Sequence, residues 1–198
     1  MRHSRPMVAS VAIAVAMCSF SVGLDESGAD RFFARVGIGG GYAQSASTEL
    51  DTRVFGPVGE VTVDLGTGIR EGVLVLVSGS VAQVVNADAR IEDADSGADV
   101  SATFFGLGVG IQFALPRAWY VAGALQWTRQ DLQLGGVDFA DGENGGSLVL
   151  SGGRDWWLHP NWGLGFAVIA RYGQIDDVGS RWNPAVATLN LNASYRVP

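Results

Sequence analysis

Lysine is missing altogether: the 13 basic residues of this 198-residue chain are all arginines. They form no basic cluster, so the electrostatic footprint of a nucleic-acid-binding surface is lacking and nucleic acid drops out as a partner. Without lysine a phosphate loop of the G-x-x-x-x-G-K-[ST] type cannot be built. The only cysteine is Cys18 and the only histidines are His3 and His159, which excludes a disulfide framework. Charged residues reach only 17%. No stretch has the roughly 18 uninterrupted apolar residues of a membrane-crossing helix. What is abundant points elsewhere: apolar residues make up 47% of the chain, too many for disorder, and Gly stands at 28 positions, too many for an ordinary helical domain.

The chain opens "MRHSRPMVASVAIAVAMCSFSVG", with Arg2 and Arg5 ahead of the apolar run Met7–Met17 and small residues after it. This is the layout of a cleaved secretory signal peptide, assigned to residues 1–23. Cys18 leaves lipidation open as an alternative, although Met17 stands where a small residue usually precedes a lipidated Cys. Removal of the leader would leave no Cys and, from the net charge of −7, a mature chain at about −9. A segment over 24–32 would follow on the periplasmic side, and one domain would fill 33–198.

From Phe33 onward, eight segments read as strands: 33–44, 57–66, 72–85, 100–114, 118–132, 146–157, 161–174 and 184–197. Most alternate with period two, which sends successive side chains to opposite faces of a sheet. In the last segment Leu189, Leu191, Ala193, Tyr195 and Val197 share one side, with Asn190, Asn192, Ser194 and Arg196 on the other. In "FFGLGVGIQF" the bulky residues Phe105, Leu107, Val109, Ile111 and Phe113 alternate with Gly106, Gly108, Gly110 and Gln112.

A soluble sandwich would put the bulky face inward and many charges outward. Here the second face is Gly, Ala, Ser, Asn and Gln, with a few charges of both signs: Arg35, Glu60, Asp64, Arg171 and Arg196. Small and polar residues suit the crowded interior of a narrow barrel, and bulky apolar ones suit its lipid-facing outside. The alternate glycines then make room on the concave side. The five charges are expected to pair inside, because an unpaired charge there is costly. Such a lumen is plugged, or at most a narrow polar path.

Two further features fit a membrane barrel. The connections alternate between long (45–56, 86–99, 133–145, 175–183) and short (67–71, 115–117, 158–160), as in barrels with short periplasmic turns and longer outer loops. The long ones are acidic, "NADARIEDADSGAD" (86–99) above all. Its acid spacing is not that of an EF-hand, so it reads as a solvated loop with no metal site. Aromatics mark both ends of the strands: Trp119, Trp156, Trp157 and Trp162 flank the short turns, Trp127 and Tyr172 lie toward the long loops, and the girdle is assigned to Trp119, Trp127, Trp156, Trp162, Tyr172 and Tyr195. The ten steps from Trp162 to Tyr172, at about 3.3 Å each and a tilt near 40°, give roughly 25 Å, the height of a barrel's apolar band. Aromatic girdles sit at such interfaces.

On the first strand "VGIGGGYAQS", on "FGLGVGIQFALPRAWYVAGALQW" and on "GGRDWWLHPNWGLGFAVIARYG", the chain resembles the small eight-stranded outer-membrane β-barrels of Gram-negative bacteria, the OmpA/OmpX/OmpW-like group. The resemblance covers 33–198 and implies an all-β fold, an eight-stranded antiparallel up-and-down transmembrane β-barrel. It implies outer-membrane lipid and the outer-membrane assembly machinery as partners, a monomer, and no cofactor. Such barrels usually end on an aromatic residue; here Tyr195 stands three residues before the end. Lipid A acyltransferases and deacylases share the strand number and use a His near the outer rim. The mature chain would keep only His159, in the short turn "LHPNW", and no triad can be assembled around it. The expected function is therefore a structural or surface-interaction role with no enzymatic site. The alternatives are a narrow passage for small or hydrophobic molecules, as in OmpW-like barrels, and a soluble exported ligand-binding barrel.

Overall fold

The computed structural model describes residues 32–47, 49, 52–91, 94–95, 100–134, 137–177 and 180–197, with the side chains of 85–86, 88–100, 132–143 and 177–180 left aside. The leader assigned to 1–23 and nearly all of 24–32 lie outside the described residues.

The described residues form eight long strands and one short one: β1 (Phe32–Ser47), β2 (Thr52–Arg70), β3 (Val73–Ile91), β4 (Ala94–Asp95), β5 (Val100–Leu115), β6 (Trp119–Leu134), β7 (Val137–Trp157), β8 (Trp162–Asp177) and β9 (Ser180–Val197). Each long strand pairs antiparallel with its neighbours, in the order β2-β1-β9-β8-β7-β6-β5-β3, and β2 pairs with β3. The sheet is thereby a closed eight-stranded ring, and β4 folds back to pair antiparallel with the outer end of β3. The closing seam runs the whole length of β1 against β9, from Phe32↔Val197 to Ser47↔Trp182. Closure gives each of the eight long strands described a partner on both sides, which is what a backbone in lipid requires.

The short turns lie at one end, together with Phe32 and Val197. Gly72 turns the chain between β2 and β3 at φ 73°, a left-handed conformation that glycine adopts without steric cost. Between β5 and β6 a single 3-10 turn, Pro116–Ala118, does the same work. Between β7 and β8 the turn is closed by bonds from the Leu158 and His159 amides to the Trp162 carbonyl, at 3.0 and 3.1 Å. His159 Nδ1 accepts from the Asn161 amide at 3.4 Å, so this histidine is part of the turn.

At the other end the strands run well past the limits expected from the alternation. Residues expected in loops at 45–56 and 175–183 are mostly strand: β1 and β2 pair up to Ser47↔Thr52, and β8 and β9 up to Asp177↔Ser180. β7 likewise begins at Val137. The physical reason is a reversal of pattern. Through the lower barrel the outward side chains are apolar, and the inward ones are mostly small or polar, with two apolar clusters among them, Phe33, Leu74 and Leu76 at the short-turn end and Tyr120, Val149 and Ile169 above it. Past a definite level the phase of burial continues, but the chemistry swaps. Val54, Val58, Ala82, Val84, Phe104, Ile175, Trp182 and Val186 turn inward as an apolar cluster, while Gln44, Arg53, Gln83, Arg129, Gln174 and Asp176 face outward. A reader following bulky-out alternation sees it fail there, although the strand goes on. A β-bulge in β3 between Val84 and Ala87 lies at this level and adds local bend and twist.

Candidate functional site

The lumen carries a lattice of charges in its lower part. Arg35, on β1, is 3% exposed and donates to Asp155 Oδ2 at 2.7 Å, to Gln112 Oε1 at 2.8 Å and to Ser194 Oγ at 3.4 Å. Asp64 lies 3.8 Å from the same guanidinium, and the Tyr120 ring lies 3.9 Å from it. Higher up, Arg171 Nη2 donates to Glu60 Oε1 at 2.6 Å, and Thr188 Oγ1 donates to Glu60 Oε2 at 2.5 Å. Side chains of six strands, β1 included, thus meet at Arg35, which faces two carboxylates, while Arg171 and Glu60 pair one to one.

Four of the five charges singled out as interior, Arg35, Glu60, Asp64 and Arg171, lie within this lattice. Arg196 sits at the short-turn mouth, its guanidinium 4.0 Å from the Trp157 ring centre and bonded to the Pro160 carbonyl. Asp155, the nearest partner of Arg35, was not among the candidates. The signal for it is its parity: Asp155 shares the small-residue face of Ser151 and Gly153, with Trp156 on the opposite face and Trp157, on the same face, packed inside against Phe33, Leu74 and Leu76.

Around these charges the lumen is filled by hydrogen-bonding side chains of modest size. Thr128 and Ser147 hydroxyls lie 2.6 Å apart, Gln126 donates to Ser78 at 3.2 Å, and Asn192 donates to the Tyr120 hydroxyl at 3.2 Å. The inward glycines leave them space. A Cβ on Gly108 would run into the Leu125 carbonyl and come within 2.6 Å of Gln126 Cα; on Gly37 it would lie 2.5 Å from Thr62 Oγ1.

The outer surface of the same stretch is a belt of exposed apolar side chains. It runs from Phe105 to Leu115 on β5, from Trp119 to Trp127 on β6 and from Trp162 to Tyr172 on β8. Those are nine to eleven residues per strand, the length needed to cross a hydrocarbon core of about 30 Å at a strand tilt near 45°. Leu125 and Leu191 are each 69% exposed, whereas their chain neighbours Gln126 and Asn190 are 3% and 0% exposed. Of the six aromatics assigned to girdles, Trp119, Trp156 and Trp162 face outward at the turn side and Trp127 and Tyr172 at the far side. Tyr195 is half-buried against Trp162, ring centres 4.8 Å apart. Tyr42, 52% exposed and paired with Phe55, joins the far ring without having been singled out; it shares its parity with Val36 and Ile38.

Above the belt, charges tie the outer hairpins together. Arg181 Nε donates to Asp176 at 3.0 Å, and the Arg181 amide donates to Glu49 Oε2 at 3.0 Å. The Arg181 side chain holds Asp176 below its usual carboxylate value, and the Arg181 amide does the same for Glu49. Among the described residues no group of three or more His, Cys, Asp or Glu could hold a metal ion.

No family model matches the chain, and no curated protein sequence does. Solved structures do. Neisserial surface protein A aligns over 86% of this chain and 99% of its own, with TM-score 0.51 and 17% identity. Ail of Yersinia pestis, solved with the heparin analogue sucrose octasulfate, aligns over 83% and 99%, with TM-score 0.47 and 18% identity. OprG of Pseudomonas aeruginosa aligns over 85% and 98%, with TM-score 0.45 and 13% identity. At these identities the likeness is one of fold: the chain is an eight-stranded antiparallel barrel that resembles the small outer-membrane barrels of bacteria.

Proposed function

We propose that this chain is a monomeric integral protein of a Gram-negative outer membrane, anchored by its belt and serving a structural or surface-interaction role rather than a catalytic one. The observation that carries the reading is the change of the outward side chains from apolar to polar at one level, seen from Tyr42 to Gln44 on β1, from Trp127 to Arg129 on β6 and from Tyr172 to Gln174 on β8. Bulky apolar residues face outward over about 25 Å of height, and polar residues face outward above it. A soluble binding barrel would keep its apolar residues inside along its whole length. Outer-membrane lipid and the assembly machinery that inserts such barrels are the partners this reading requires.

The apolar upper lumen is the feature a passage for hydrophobic molecules would need. Its members are packed together, however, with Val58 at 4%, Phe104 at 2% and Ile175 at 0% exposure, and the Glu60–Arg171 layer lies beneath them. The structural reading stands above the passage. Its test is fractionation of expressing cells, combined with gel mobility before and after boiling. The expected result is recovery in the carbonate-washed outer membrane, in a form whose mobility changes on heating. Recovery in the aqueous periplasmic extract would overturn the reading.

A further inference from the structure

One charge stands on the wrong face. Arg154, on β7, follows Leu148, Leu150 and Gly152 on the outward side and precedes Trp156 there. A guanidinium on the lipid face of a barrel costs more the deeper it lies and least near the interfaces. Arg154 lies one outward position from the end of the belt and pairs across the sheet with Trp119, the first residue of β6, and with Phe166 on β8.

Its surroundings are built. The guanidinium carbon is 5.3 Å from the Trp156 ring centre and 5.8 Å from that of Trp119. Phe166 locks both indoles, at 5.6 Å from Trp156 and 5.8 Å, edge-on, from Trp119. Arg154 Nε is buried and has no hydrogen-bond partner among the described residues, and no carboxylate there forms an ion pair with it. Two indoles thus lie within cation–π reach of the guanidinium, Nε is shut away from solvent, and the terminal amino groups, to which the described residues supply no hydrogen bond, are left to something outside the chain.

We infer that Arg154, with Trp119 and Trp156 flanking it, is a binding site for the phosphate of a phospholipid in the leaflet at the short-turn end of the barrel. Guanidinium and phosphate form strong charge-assisted hydrogen bonds, and indole rings favour the headgroup level. A soluble anion would have to reach a guanidinium walled by apolar rings on the hydrocarbon side. A phospholipid brings its phosphate to that height and covers Leu150 and Phe166 with its chains. The inference rests on the membrane reading above.

The experiment uses the protein purified from membranes, and its R154L, R154K and W119L variants, in micelles of an uncharged detergent. Dioleoylphosphatidylglycerol, dioleoylglycerol or inorganic phosphate is added, and bound adducts are read by native mass spectrometry. Heat-modifiable mobility is recorded for each variant to show that it is folded. The expected result is a phosphatidylglycerol adduct on the wild type that falls at least tenfold in R154L, falls less in R154K and W119L, is not replaced by dioleoylglycerol, and survives an excess of inorganic phosphate. Equal adducts on folded wild type and R154L overturn the inference while leaving the membrane reading intact. Displacement by inorganic phosphate overturns the lipid as the source. A wild-type chain that never enters membranes overturns both.

Discussion

Glu60 and Asp155 face the same kind of partner under different terms. Glu60 is the carboxylate that meets Arg171 among the described residues, whereas Asp155 shares Arg35 with Asp64. Removing one member of a buried pair leaves an uncompensated charge and costs about 3–5 kcal/mol. E60Q is therefore expected to lose that much stability in urea titrations of the barrel in lipid vesicles, followed by tryptophan emission. D155N, with Asp64 still beside Arg35, loses clearly less, and an E60L/R171L double variant recovers much of the E60Q loss. Equal costs for E60Q and D155N would contradict this division of labour. The glycines give a second expectation at this scale. G108V places its side chain against the Leu125 carbonyl and is expected to abolish the heat-modifiable form. G146A, whose Cβ meets nothing within 4 Å, folds like the wild type. Both roles were legible in outline from parity alone, since Arg35, Glu60 and Gly108 fall on the small-residue face. Which acid meets which arginine was not, because pairing across the lumen depends on the relative heights of strands far apart in sequence.

Along a single strand the two chemistries can be separated by substitution. V109R puts a guanidinium in the middle of the belt and is expected to cost about 2–4 kcal/mol in folding into lipid vesicles. Q83R and Q44R, outward but above the belt, are expected to change folding stability by less than about 0.5 kcal/mol. Equal penalties at both levels would mean that the belt does not meet hydrocarbon. The belt itself could be read directly in β5, β8 and β9, where large outward residues alternate with glycine, asparagine or other small side chains. The upper halves of the strands could not. There the inward Val54, Ile175 and Trp182 and the outward Arg53 and Asp176 follow the pattern of a water-soluble sheet. A single period-two rule with a fixed sign therefore assigns those stretches to loops.

As a whole the molecule is a tube filled twice over: by charges and amides across its lower part, and by Phe104, Ile175, Trp182 and their neighbours above. An eight-stranded barrel is only just wide enough for its interior side chains. Planar-bilayer recordings of the purified protein are accordingly expected to show no large, steady single-channel conductance, and D155N/E60Q is expected to change that little, because the upper packing remains. Persistent nanosiemens steps in the wild type would refute the filled lumen.

The reversal of side-chain chemistry also sets a waterline. Sinking the barrel by two residues would push Gln44, Arg129 and Gln174 into oil; raising it by two would lift Phe105, Trp127 and Tyr172 into water. Either displacement is opposed on every wall at once, so the vertical berth of the tube is written into its strands to within about one turn of the pleat, roughly 7 Å, and a bilayer of another thickness must itself adjust.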